Sequence, residues 1–183
     1  MRRFMIGAAL AAAVAMPMAG ANAEEFFHAN FSGFQELGGL PTVANPGAET
    51  GAILSEGTAT LQLQLDNKMQ TLTFTLKFSG LSSTVTQAHI HFGQQHVPGG
   101  VIVFFCATPP TPAPAGTQSC GGGRSGTITG TLRAGDVIGP AGQGIAAGNF
   151  DGLEDALNNN TAYANIHTTN FPQGAIRGQI TPD

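Results

Sequence analysis

Leucine and phenylalanine recur at every second position through the middle of this chain. Leu61, Leu63 and Leu65 alternate with Gln62 and Gln64, and Leu72, Phe74, Leu76 and Phe78 alternate with Thr71, Thr73, Thr75 and Lys77. Successive side chains of a strand point to opposite faces, so each run carries one apolar face and one polar face. A helix would scatter the same residues around its circumference. Asp66-Asn67-Lys68-Met69 between the runs is turn chemistry, and the pair is predicted to form a hairpin.

Similar runs extend the pattern. Strands are predicted over Phe26–Phe34, Thr84–Phe92, Val101–Phe105, Thr127–Leu132, Thr161–Thr168 and Ala175–Ile180. About eight strands joined by Gly/Pro-rich connections predict an all-β, antiparallel, Greek-key-like sandwich or barrel. Asp151–Asn158 is the one short helix, with Leu153 and Leu157 four apart and a run of asparagines as its stop. Gly135–Gly148 reads as a long loop and no linker divides the chain, so residues 24–183 are expected to form a single domain. Gly121, Gly123 and Gly126 match G-x-G-x-x-G, but they lead into a predicted strand. The dinucleotide fingerprint needs a helix there, so these are loop glycines.

Residues 1–23 have the organisation of an export signal. Arg2-Arg3 precede an apolar, alanine-rich stretch from Met5 to Met16, and Ala21-Asn22-Ala23 supplies a small-x-small cleavage site. The stretch is shorter than the roughly 20 residues that span a bilayer. The protein is therefore expected to be periplasmic or secreted, with no membrane insertion after signal cleavage. Past Ala23 five cations, Lys68, Lys77, Arg124, Arg133 and Arg177, stand against 11 acidic residues. Nucleic-acid binding, which needs a basic stripe, is excluded as an expectation. Cys106 and Cys120 bracket a Pro-rich segment, and in an oxidising compartment they are best read as a disulfide.

The chemistry resides in the histidines. In Ala88-His89-Ile90-His91-Phe92 the alternation sends Ala88, Ile90 and Phe92 to the core and both imidazoles to the other face. Late in the chain Ala162, Ala164 and Ile166 form an inward face, so Tyr163, Asn165 and His167 point outward. Three imidazoles on one face would make a site suited to copper, zinc or nickel. The same residues also fit polar side chains on a half-exposed strand. His96, in the loop Gly93–Gly100, is a candidate fourth ligand, and His28 reads as a surface residue.

At these residues a resemblance emerges. Phe31-Ser32-Gly33-Phe34-Gln35-Glu36, the run Leu72–Leu81, Ala88-His89-Ile90-His91 and the run Asn165–Ile180 resemble, in order, the chordin-type (CHRD) domain. The resemblance spans about residues 26–181 and implies a secreted or extracytoplasmic all-β module. It departs from that pattern at Phe92 and in the cysteine-bracketed insert. More loosely, His89-Ile90-His91-Phe92-Gly93 and His167 followed by Gly174-Ala175-Ile176-Arg177-Gly178 are similar to copper-binding segments of copper–zinc superoxide dismutase. That likeness implies a mononuclear copper site, with Arg177 as charge near the ion or as the partner of a carboxylate such as Glu36. No zinc cluster accompanies it.

Three readings follow from these residues. The first is an exported β-barrel protein that holds copper through His89, His91 and His167, in metal handling or redox protection. The second is a metal-free extracytoplasmic protein-interaction module. The third is a copper-only, dismutase-like enzyme, in which Arg177 alone would have a catalytic role. No nucleophile set, carboxylate pair or phosphate loop points to other enzymatic chemistry, and the balance leans away from an enzyme. Intact mass spectrometry of exported protein is expected to find a chain beginning at Glu24. A mass that retains Met1–Ala23 would remove the export expectation.

Overall fold

The computed structural model describes residues 24–37 and 51–183. The expected export segment 1–23 and its cleavage site lie outside the described residues. In chain order the strands are β1 (Glu25–Phe31), β2 (Thr58–Asp66), β3 (Thr71–Ser79), β4 (Val85–Phe92), β5 (Gly100–Ala107) and β6 (Gly126–Arg133). A helix, α1 (Phe150–Asn158), precedes β7 (Ala162–Thr168), β8 (Ile176–Gln179) and β9 (Thr181–Pro182). Short 3-10 turns at Gly33–Gln35, Ala134–Asp136 and Ala141–Gln143 complete the order.

Two antiparallel sheets face each other. One runs β6-β3-β2-β1-β9 and the other β5-β4-β7-β8. Of the two expected architectures the chain takes the sandwich and not the closed barrel. Among the described residues no ladder joins the sheets, and an isolated bridge between Ser32 and Arg177 stitches them together. The hairpin is as predicted, with Leu61 opposite Leu76, Leu63 opposite Phe74 and Leu65 opposite Leu72. Those side chains are buried while the intervening Gln and Thr face out.

Several element ends differ from the predicted ranges by one or two residues, and a few differ for a clear physical reason. β1 stops at Phe31 and not Phe34, because Gly33 turns where Ile53 N donates to its carbonyl (2.8 Å), and a side chain there would strike Ile53. β9, beyond the last predicted strand, pairs Thr181 with His28 on the sheet edge. Two residues are too few to show periodicity, and a proline is tolerated at an edge. The helix starts one residue early at Phe150, capped by Asn149, whose side chain accepts from Gly152 N (3.0 Å).

The core lies between the sheets. Phe27, Leu61, Phe74 and Leu76 from the first meet Ile90, Phe105, Ala164 and Ile166 from the second, and all are essentially inaccessible. Phe74 and Phe105 touch across the interface with ring centroids 4.6 Å apart. Full burial of each such side chain is worth about 1.5–3 kcal/mol. Gly130 on β6 is where the Phe74 ring lies, and a Cβ there would sit 2.7 Å from it. Leu153 and Leu157 of α1 are buried in the same core cluster.

Cys106 of β5 is bonded to Cys120 in the loop before β6, with Cα atoms 5.0 Å apart. No free cysteine is present among the described residues. Thiol titration of denatured, unreduced protein is expected to find none. Replacing both cysteines with alanine should cost about 3 kcal/mol of stability, the loop-closure value for a span of this length, read as a shift in urea midpoint.

Candidate metal centre

β4 supplies two imidazoles and β7 the third. The strands pair with Gln87 opposite His167, Ala88 opposite Ile166, His89 opposite Asn165 and His91 opposite Tyr163. Ala88 and Ile90 enter the core, which leaves His89 and His91 on the outer face of their sheet, together with Tyr163, Asn165 and His167. That face is not open. His89, His91 and His167 are 3%, 9% and 7% exposed, and β7 is buried along its whole length.

Covering the face is the work of loops and neighbouring strands. Between Ala88/His89 and Ile90/His91 the register with β5 shifts, so that Phe104 comes opposite His89. Phe104 meets the His89 ring edge-on at 4.4 Å. Bulges of this kind commonly re-aim side chains beside a site. The 93–99 loop folds back across His91. It is held by β8, where Arg177 Nη2 donates to Gln94 O (2.8 Å) and Val97 O (3.1 Å), and Gln179 Nε2 donates to Gly93 O (3.2 Å). Gly99 in this loop has no room for a side chain, since a Cβ would overlap the Phe92 carbonyl.

Backbone carbonyls orient two of the rings. His91 Nδ1 donates to Gly99 O (2.8 Å) and His167 Nδ1 donates to Pro172 O (2.9 Å). In a neutral imidazole this leaves the Nε2 lone pair as the free acceptor. His91 Nε2 lies 3.2 Å from His89 Nδ1, and the Asn165 side chain stands against both, at 3.0 and 3.3 Å. The Nε2 atoms of His89 and His167 are buried with no hydrogen-bond partner. One nitrogen from each of the three rings falls within 4.8 Å of the others. His89 and His167 meet edge-on at 4.8 Å. This set of neutral nitrogen donors, two of them fixed in tautomer from behind, can bind a transition-metal ion.

The surroundings keep the trio neutral. Burial pushes His89 down to about 2, helped by the neighbouring His167 and His91. Burial likewise takes His91 to about 4, against the opposing hydrogen bond to Gly99, and lowers His167. Arg177 adds a small push of the same sign on His91. Its guanidinium is 2% exposed and lies 3.3 Å from the centroid of the Tyr163 ring, which is stacked on His91 at 4.7 Å.

Of the residues singled out in the sequence, His89, His91 and His167 converge. His96 does not join them: it is exposed in the loop, with φ 60°. His28 is on the surface, paired with Asp183 at 2.6 Å. Asn165 was legible only as an outward residue, two positions before His167. The carbonyls of Gly99 and Pro172 and the cover by Phe104 gave no sequence signal, because backbone groups and bulges have no residue code.

The lowered pKa values set the direction of a pH effect. Below about 6.5 the unfolded imidazoles take up protons that the folded ones refuse, so folding stability falls with pH in this range. Each such imidazole contributes about 1.4 kcal/mol per pH unit to the slope. Metal-free protein is expected to hold its urea midpoint above pH 6.5 and to lose it steeply between 6.5 and 4.5. His167→Gln should flatten that slope. An unchanged slope would mean that the rings are not buried neutral.

A family model for the CHRD domain matches residues 27–180, from β1 to the residue before β9. Searches of curated proteins and of solved structures return no match. The matched region contains the β5-β4-β7-β8 sheet, the other sheet apart from β9 and the first residues of β1, the disulfide and the three converging histidines. The chain belongs to the CHRD-domain family.

Proposed function

We propose that this protein is an extracytoplasmic CHRD module that binds a transition metal, copper foremost, through His89, His91 and His167. Its role would be metal handling or redox protection. The observation that carries the reading is the pair of buried, unpartnered Nε2 atoms on His89 and His167 within a three-imidazole cluster. Leaving such a nitrogen buried and unbonded costs about 1–3 kcal/mol, and coordination of an ion offsets that cost. Two bonds of about 2 Å bridge nitrogens no more than about 4 Å apart. The widest separation is 4.8 Å, so loading would draw the rings inward by somewhat under 1 Å. The family, the disulfide and the expected export signal support placement outside the cytoplasm. Among the described residues no helix is long and apolar enough to cross a membrane.

The dismutase-like alternative draws no support from Arg177. A residue that guides an anion must present its charge to solvent, whereas this guanidinium is buried against Tyr163 and the 93–99 loop.

Calorimetric titration of copper into wild type and single variants tests the reading. His89→Ala, His91→Ala and His167→Ala should each weaken binding by more than about tenfold, since each leaves an incomplete ligand set. His28→Ala and His96→Ala should bind like wild type, and thermal melts confirm that all variants fold. Should His167→Ala bind like wild type, the single site is wrong and the metal-free interaction module becomes the reading.

A further inference from the structure

We infer that the His89, His91 and His167 site is built for a monovalent ion of closed d shell, copper(I), and against divalent ions. The inference rests on the metal-binding reading above and specifies the ion's charge.

Every group that offers a donor atom at the site is neutral. The three imidazoles and the Asn165 amide carry no negative charge, and among the described residues no Asp, Glu or Cys joins the cluster. Both cysteines are consumed by the disulfide. Glu36 is the one buried carboxylate among the described residues and packs against Gly174. Desolvating an ion costs energy in proportion to the square of its charge, so a dication carries about four times the penalty of a monocation here. The donor set, which holds no anion, returns none of it as ion pairing.

Coordination number points the same way. Zinc takes four ligands, and where the protein supplies three a water or substrate fills the fourth position. At this site the Nε2 atoms of His89 and His167 have no contact with solvent. Phe104 packs on the His89 ring, Tyr163 stacks on His91, and the carbonyls of Gly99 and Pro172 engage the Nδ1 atoms of His91 and His167. The one further donor at hand is the neutral Asn165 side chain. Three soft-to-borderline nitrogens in a dry pocket satisfy copper(I), which is stable with three ligands. They leave a dication both short of ligands and short of countercharge.

The test is competitive titration of the metal-free protein, without oxygen, against copper(I), copper(II), silver(I) and zinc(II). Silver(I) is the redox-inert probe of a monovalent d10 ion. One equivalent of silver(I) and of copper(I) is expected to bind at least about 100-fold more tightly than zinc(II), and copper(I) more tightly than copper(II). His89→Ala should remove the preference and give the background from the exposed Met69 and His28. Asn165→Asp places an anion against two of the imidazoles and should move the silver-to-zinc ratio toward zinc by at least about tenfold. Zinc(II) or copper(II) bound as tightly as the monovalent ions, and lost in His89→Ala, would overturn this inference and leave the metal site standing. If no ion binds in a histidine-dependent way, the metal reading fails and this inference falls with it. Should Asn165→Asp not fold, the wild-type affinities decide alone.

Discussion

The antiparallel pairing of β4 with β7 is the interaction on which the rest of this structure depends. Each strand carries small or branched apolar residues on one face and ring or amide side chains on the other. Their register sets Ala88 beside Ile166 in the core, and by the same alternation sets His89 beside Asn165 on the far side. A slip by one residue would turn every imidazole into the core and every aliphatic residue out of it. The hydrophobic effect therefore enforces the geometry of a polar cluster it does not itself contact. Core packing between Ile90, Ala164 and the facing sheet is what holds the histidines in place.

A second constraint acts from outside the sandwich. An outer sheet face left to solvent would screen the imidazoles and return their pKa values toward 6.5. Here β8 prevents this, because Arg177 and Gln179 anchor the 93–99 loop by its carbonyls and close it over His91. The bulged edge with β5 brings Phe104 over His89. The consequence is a polar cluster in a low-dielectric setting, where hydrogen bonds and charges weigh more than in water. A buried arginine takes part as well: it donates to two carbonyls of the covering loop and adds a small push against charge on His91.

The sheet framework was legible because burial of one face imposes a period of two, and that period is written directly in side-chain polarity. The β2–β3 hairpin and the outward phase of His89, His91 and His167 could be read this way, and the helix from Leu153 and Leu157 four apart with an asparagine run as its stop. The ends of β1 and the presence of β9 could not. They depend on Ile53 approaching Gly33 and on an edge pairing with His28, contacts between segments far apart in the chain. The choice between sandwich and barrel likewise turned on whether edge strands meet, which no local pattern encodes.

The amino-acid sequence by itself determined the strands, the facing of the three histidines, the cysteine pair and the family to which the chain belongs. These follow from alternation, spacing and segment order, all of which are local along the chain. Tertiary structure alone decided that β4 and β7 are neighbours, that the histidine face is covered, and that Asn165 and two backbone carbonyls complete the cluster. It also decided that His96 stays outside while Arg177 is drawn in. The physical reason is common to all of these: burial, dielectric and hydrogen-bond partners are properties of what surrounds a residue. For His89, His91 and His167 those surroundings come from segments that lie up to about 80 positions away along the chain, joined only when the sheet forms.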